Sequence, residues 1–119
     1  GTTFGGNHLA CTAALAVLDV IEGEGLVENA RETGDYLMAR LKELQQEEPR
    51  ITDVRGRGLM VGISLAVPHK ALRSHLVYTE HCFTGCASTN ILRLLPPLTF
   101  TRDMADDFIC RLKRAFAAC

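Results

Sequence analysis

Ten consecutive residues, Leu9 to Leu18, carry no charge, and this stretch limits what the chain can fold into more than any other. It is built mainly from Ala and Leu, residues that favour a helix. Asn7 stands just ahead of it as an N-cap, because its side-chain oxygen can accept a hydrogen bond from a free first-turn amide. A first helix is therefore expected over residues 8–22. A helix apolar on every side must be covered on every side, more than a lone small domain usually manages. Another domain or a second subunit is expected to pack on it. The chain starts at Gly1 without a Met, and it reads as cut from something longer.

Glu22-Gly23-Glu24-Gly25 breaks that helix. A second is expected over 26–47, with Val27, Ala30, Gly34, Leu37, Met38, Leu41 and Leu44 as one apolar stripe opposite a charged face. Pro49 ends it. Residues 51–55 read as a short strand, Gly56-Arg57-Gly58 as a turn or bulge, and 59–67 as a second strand. In the latter, Leu59, Val61, Ile63 and Leu65 alternate with Met60, Gly62, Ser64 and Ala66. One face carries bulk and the other small groups, and the small face suits close approach of a helix. Pro68 opens a connection to a short helix over 71–80. Residues 82–90 read as a strand end and a loop around Gly85. A strand over 91–95 is closed by Pro96-Pro97. Thr101 can cap a last helix over 102–117, with Asp103 well placed in its first turn. Its buried stripe is Ala105, Phe108, Ile109, Leu112 and Phe116. The expected class is α+β: a small, mostly antiparallel sheet with helices packed on one face.

With 119 residues the chain is one domain able to bury a real core. A formal net charge of -1 gives no general electrostatic case for nucleic acid or an anionic membrane. No apolar run reaches the ~18 residues a membrane span needs, and the start is not the basic region of a signal peptide. Five cysteines without scaffold spacing suit reduced thiols in a cytoplasmic protein. His81, Cys82 and Cys86 could form half of a metal site, but no second Cys/His pair completes it, and no metal is expected.

Chemistry concentrates at two places. In Gly1-Thr2-Thr3-Phe4-Gly5-Gly6-Asn7, two hydroxyls, bare glycine amides and a helix N-terminus together make a seat for a phosphate. A plain loop before a helix is the other reading, and no P-loop lysine follows. Arg93 stands inside Ile91-Leu92-Arg93-Leu94-Leu95. Its planar fork matches a carboxylate in two-point fashion, so a substrate carboxylate is one partner. A structural salt bridge, or a place on the wet face of an edge strand, is the alternative. Of the three lysines, Lys42, Lys70 and Lys113, none sits in the dry pocket that a Schiff-base lysine needs. Arg55-Gly56-Arg57 reads as a solvated turn. The histidines form no Ser/His/Asp or Cys/His constellation.

Three segments in order, Gly1 to Ala10, Asp53 to Met60 (Asp-Val-Arg-Gly-Arg-Gly-Leu-Met) and Leu92 to Leu98 (Leu-Arg-Leu-Leu-Pro-Pro-Leu), resemble the class III aminotransferases, which depend on pyridoxal phosphate (PLP). The spacing is similar to the C-terminal portion of the acetylornithine and succinylornithine aminotransferase branch. The resemblance implies the C-terminal small domain of a fold-type I PLP enzyme, with residues 1–24 as an active-site loop and linking helix. It implies that Thr3, with Thr2 beside it, contacts the cofactor phosphate of the neighbouring subunit of a homodimer. It makes Arg93 the group that binds the substrate α-carboxylate. The implied substrates are an acylated ornithine and 2-oxoglutarate, in cytoplasmic arginine metabolism. The family's catalytic lysine belongs to a large domain outside this chain, so no catalytic residue is assigned here. His8 stands where most relatives carry Pro, and 82–90 matches less well than its neighbours. Ornithine and 4-aminobutyrate aminotransferases are further options. Two other classes are a free-standing small-molecule-binding module, which would have to cover Leu9 to Leu18 itself, and a thiol or metal protein using Cys82 and Cys86.

Overall fold

Bulk on one face of the longer strands decides how the layers stack. The computed structural model describes residues 1–119. Its elements are α1 (His8–Gly23), α2 (Leu26–Glu47), β1 (Ile51–Arg57), β2 (Met60–Leu65), α3 (Lys70–Tyr78), β3 (Gly85–Ala87), β4 (Ile91–Leu94) and α4 (Arg102–Ala118). The strands form one antiparallel sheet in the order β1-β2-β4-β3. Val54, Val61, Ile63, Leu65, Leu92 and Leu94 point to one face and join a single core with α2, α3 and α4. Leu37, Leu41 and Leu44 come from α2, Leu72 and Leu76 from α3, and Phe108, Ile109, Leu112 and Phe116 from α4. The expected α+β arrangement, helices on one side of a small antiparallel sheet, is the one observed.

Several expectations need correction. The small face of β2 receives no helix of this chain: Met60 and Ala66 are exposed and Gly62 and Ser64 half-buried. Burying one Val/Ile/Leu row is enough for a two-layer domain, so the helices go to the bulky side. β1 continues through Gly56 and Arg57, so these are strand residues, and the reversal falls at Gly58 and Leu59. Gly58 has φ +54° there, a conformation that favours glycine. Leu59, expected in the strand, is buried in the turn. On α2, Val27 is exposed, while Leu26 and Thr33 complete the buried stripe. The third helix is Lys70–Tyr78, one residue earlier at its start and two shorter at its end than expected.

Polar contacts tie the helices of that layer together. Asp106 of α4 accepts the Tyr36 hydroxyl at 2.9 Å and Arg40 Nε at 3.0 Å, both from α2. Glu80, buried after α3, accepts Arg114 Nη2 of α4 at 2.6 Å, and its carbonyl accepts Arg111. Arg50 donates to Glu48 and to the Phe116 carbonyl, with its guanidinium 4.9 Å above the Phe116 ring.

α1 stands apart from this body. Asn7 caps it as expected, its Oδ1 accepting from the Ala10 amide at 2.9 Å. Not one of its residues is buried, and Leu9 is 82% exposed. The chain measures 50 × 31 × 24 Å along its principal axes. No helix is long and apolar enough to cross a membrane.

Candidate functional site

Arg93 owes its place to its neighbours. Leu92 and Leu94 are buried in the core, and side chains alternate along a strand, so Arg93 must emerge on the opposite face. It is exposed there and enters no ion pair. The structural salt bridge is therefore not its role within this chain. Register fixes what surrounds it: Gly62 of β2 and Gly85 of β3 lie directly opposite, on either side. Arg55 of β1 pairs with Gly62 on its far side, so two arginines share one row of the open face. Arg55 is neutralised by Asp53, 2.7 Å away. Arg93 is thus the free cation of that row, between Gly62 and Gly85, with Ser64, Ile91 and Ala87 in the next row of the same face.

The segment after Arg93 is held from behind. Asn29 of α2 donates its Nδ2 to the Leu98 carbonyl at 2.7 Å and to the Phe100 carbonyl at 3.1 Å. These bonds anchor the exit from Pro96-Pro97 across about seventy residues of sequence. Asn29 is a supporting residue that sequence reasoning missed; its only signal was an Asn on the half-exposed first turn of a helix.

Thr2 and Thr3 are exposed, ahead of α1. The Gly5 amide donates to the Thr2 carbonyl, and the Asn7 amide and side chain donate to the Phe4 carbonyl. Gly6 has φ +77°, which lets the loop fold tightly back onto the helix start. Neither threonine hydroxyl has an intrachain partner, unlike that of Thr12, which donates to the His8 carbonyl. Two free hydroxyls before a capped helix fit a phosphate oxygen. They do not meet Arg93: α1 leans on α2, while Arg93 lies on the sheet.

The remaining candidates stay dispersed. Lys42, Lys70 and Lys113 are all exposed, and Lys113 is paired with Glu47 at 2.7 Å. No three His, Cys, Asp or Glu side chains converge. Burial pushes the Cys82 thiol up from its ordinary value, which works against use as a nucleophile. Cys86 is exposed on the edge strand. A cavity of about 440 Å³ between the Pro96-Pro97 turn, the loop at His81 and the start of α4 includes neither Arg93 nor the threonines.

The chain thus carries an unpaired guanidinium on its open sheet face and, separately, an uncovered capped helix. The family model for aminotransferase class-III matches residues 1–116, and the chain belongs to that family. It is 40% identical to an ornithine aminotransferase of Geobacillus sp. (strain WCH70) over 119 residues, which cover 98% of this chain and 29% of that protein. It is 44% identical over 109 residues to acetylornithine aminotransferase 1 of Bordetella bronchiseptica, covering 92% of this chain and 28% of that one. Among solved structures, it superposes with a TM-score of 0.87 on a PLP-bound amine transaminase from an uncultivated Pseudomonas species. There the identity is 34%, over 100% of this chain and 29% of the other. The chain thus spans under a third of the length of the proteins it matches.

Proposed function

We propose that the chain is the C-terminal small-domain part of a PLP-dependent aminotransferase, with 1–24 as its active-site loop and linking helix. The reaction proposed is transfer of the δ-amino group of N2-acetylornithine, or of its N2-succinyl analogue, to 2-oxoglutarate in the cytoplasm. Arg93 carries the reading: a guanidinium without a partner, forced onto an open sheet face by Leu92 and Leu94, in a member of this family. It holds the α-carboxylate through two parallel N–H donors and so sets which carbon faces the reacting centre. Thr3, and Thr2 beside it, donate hydroxyls to the cofactor phosphate of the partner subunit in a homodimer. PLP, when bound, supplies the electron sink. The lysine it needs is not among Lys42, Lys70 and Lys113, so the isolated chain should not transaminate.

A second substrate reading has direct support, because an ornithine aminotransferase is among the similar proteins. Assaying the full-length enzyme with N2-acetylornithine, N2-succinylornithine, ornithine and 4-aminobutyrate, each with 2-oxoglutarate, decides between them. A preference for free ornithine of tenfold or more in kcat/KM would replace the acylated substrates. The clamp itself is tested by Arg93→Lys, which keeps charge and loses the fork. At least a tenfold loss in kcat/KM is expected, about 1.4 kcal/mol; unchanged kinetics would take Arg93 out of the site.

A further inference from the structure

Gly85 opens β3, a three-residue strand at the sheet edge, and pairs in register with Arg93. Its backbone does not call for glycine, since the positive-φ glycines are Gly6, Gly25 and Gly58. Glycine also weakens a strand, because it carries no side chain to pack and loses the most chain entropy on folding. What position 85 does lack is room: a methyl group there would lie 3.2 Å from Arg93 Nε and 3.3 Å from Nη2. The guanidinium occupies the space that a side chain would fill.

The opposite neighbour behaves differently. A methyl group at Gly62 would meet Ile91 Cγ2 at 3.6 Å and the Arg55 carbonyl at 3.9 Å, both ordinary contacts, and no atom of Arg93. Arg93 therefore leans toward β3 and away from β2. With no carboxylate of this chain to orient it, its resting direction is set by what it lies against.

We propose that Gly85 is a positioning residue for substrate recognition, the bare shelf that seats the Arg93 fork for two-point carboxylate binding. The proposal rests on the reading of Arg93 as the carboxylate clamp. A side chain at 85 lifts or swings the guanidinium, and a bidentate pair tolerates little misalignment. Because the displaced atoms are the far end of a flexible side chain, the strand itself does not suffer. Valine, a good strand former, should hold or raise the melting temperature while weakening the substrate site. That opposition separates positioning from a structural role.

The test uses the full-length enzyme and glutarate, a dicarboxylate with no amino or oxo group, titrated calorimetrically against wild type, Gly85→Val, Gly85→Ala and Arg93→Lys. For Gly85→Val the dissociation constant should rise about tenfold, and the KM for 2-oxoglutarate should rise more than kcat falls. For Gly85→Ala, whose methyl asks Arg93 to move only a few tenths of an ångström, a rise of about threefold is expected. Both variants should melt no lower than wild type. If Arg93→Lys weakens glutarate and neither Gly85 variant does, the shelf is refuted and the clamp stands. If Arg93→Lys leaves glutarate binding unchanged, clamp and shelf fall together. Should Gly85→Val fail to fold, the alanine variant alone decides, by the same titration.

Discussion

Replacing Gly34 by alanine sets two effects of opposite sign against each other, and the geometry says which wins. Gly34 lies in the middle of α2, where alanine is favoured over glycine by about 1 kcal/mol. Its α-carbon, however, faces the β1–β2 turn at the closest approach of helix and sheet. An added methyl would sit 2.6 Å from the Gly58 α-carbon and closer still to its carbonyl carbon and oxygen, whereas carbons in contact prefer about 3.5–4.0 Å. All three atoms belong to backbone, so no rotamer change relieves them; α2 and the turn must part by about 1 Å. Overpacking of this kind costs about 3 kcal/mol. The net expectation is a loss of about 2 kcal/mol, or a melting temperature lower by about 8 °C for a domain of this size. Gly23→Ala is the control, because nothing lies within 4 Å of a methyl there, and it should not lower the midpoint. Urea melts followed by circular dichroism measure both, with an unchanged slope as the sign that only stability moved. A Gly34→Ala protein as stable as wild type would refute the close approach, and with it the placement of the turn that carries β2 to its register beside Arg93.

Two further outcomes follow from the charges and thiols. The Arg114 hydrogen bond holds the Glu80 carboxyl below its ordinary 4.5, so the stability it lends is present above that value and drains away as pH falls below it. Urea midpoints compared at neutral pH and at about pH 3 should fall less in Glu80→Gln than in wild type; an equal fall would remove Glu80 from the acid response. Among the five cysteines, half-buried Cys82 has a raised thiol pKa, while Cys11, Cys86, Cys110 and Cys119 are exposed. Timed alkylation read by peptide mass spectrometry should label Cys82 last, and early labelling would mean that the loop at His81 opens freely.

Much of the core was legible because it rests on short periods. An alternation of two set Val61, Ile63 and Leu65 on one face of the second strand, and gaps of three and four marked Leu37, Leu41 and Leu44 on α2. The same alternation at Leu92 and Leu94 decides the place of Arg93, which the sequence alone leaves open. At Leu26-Val27 two adjacent apolar residues compete for one inward position, and periodicity alone does not choose between them. β3 was unreadable for a different reason. Gly85, Cys86 and Ala87 have little strand preference of their own, and the strand exists because β4 offers it an edge. The ties through Asp106 and Glu80 join residues 70 and 34 apart in sequence, a separation that no local pattern encodes. The face of the sheet was misread because small residues suggested helix packing, whereas here they leave Arg93 uncovered.

α1 is where the demands of the sequence and the contents of the chain diverge most. A compact monomer of 13.0 kDa should expose about 6,300 Å², and this one exposes 7636 Å². Its radius of gyration is 16.8 Å against about 13.5 Å for a compact chain of the same length. The excess, roughly 1,300 Å², exceeds the ~800 Å² that one partner buries in a standard protein interface. It includes Phe4, Leu9, Leu15, Val17 and Leu18, all more than half exposed. The core, in contrast, draws nothing from α1: its main cluster begins at Leu37, with Tyr36 packed against it, and Leu26 is the first buried residue. Removing residues 1–24 should therefore leave the melting temperature within about 2 °C of the whole chain, while binding of a hydrophobic dye and concentration-dependent association both fall sharply. A truncated chain that unfolds would make α1 part of the domain's own core. Retained stability with lost stickiness would make it a helix built to be covered by other protein.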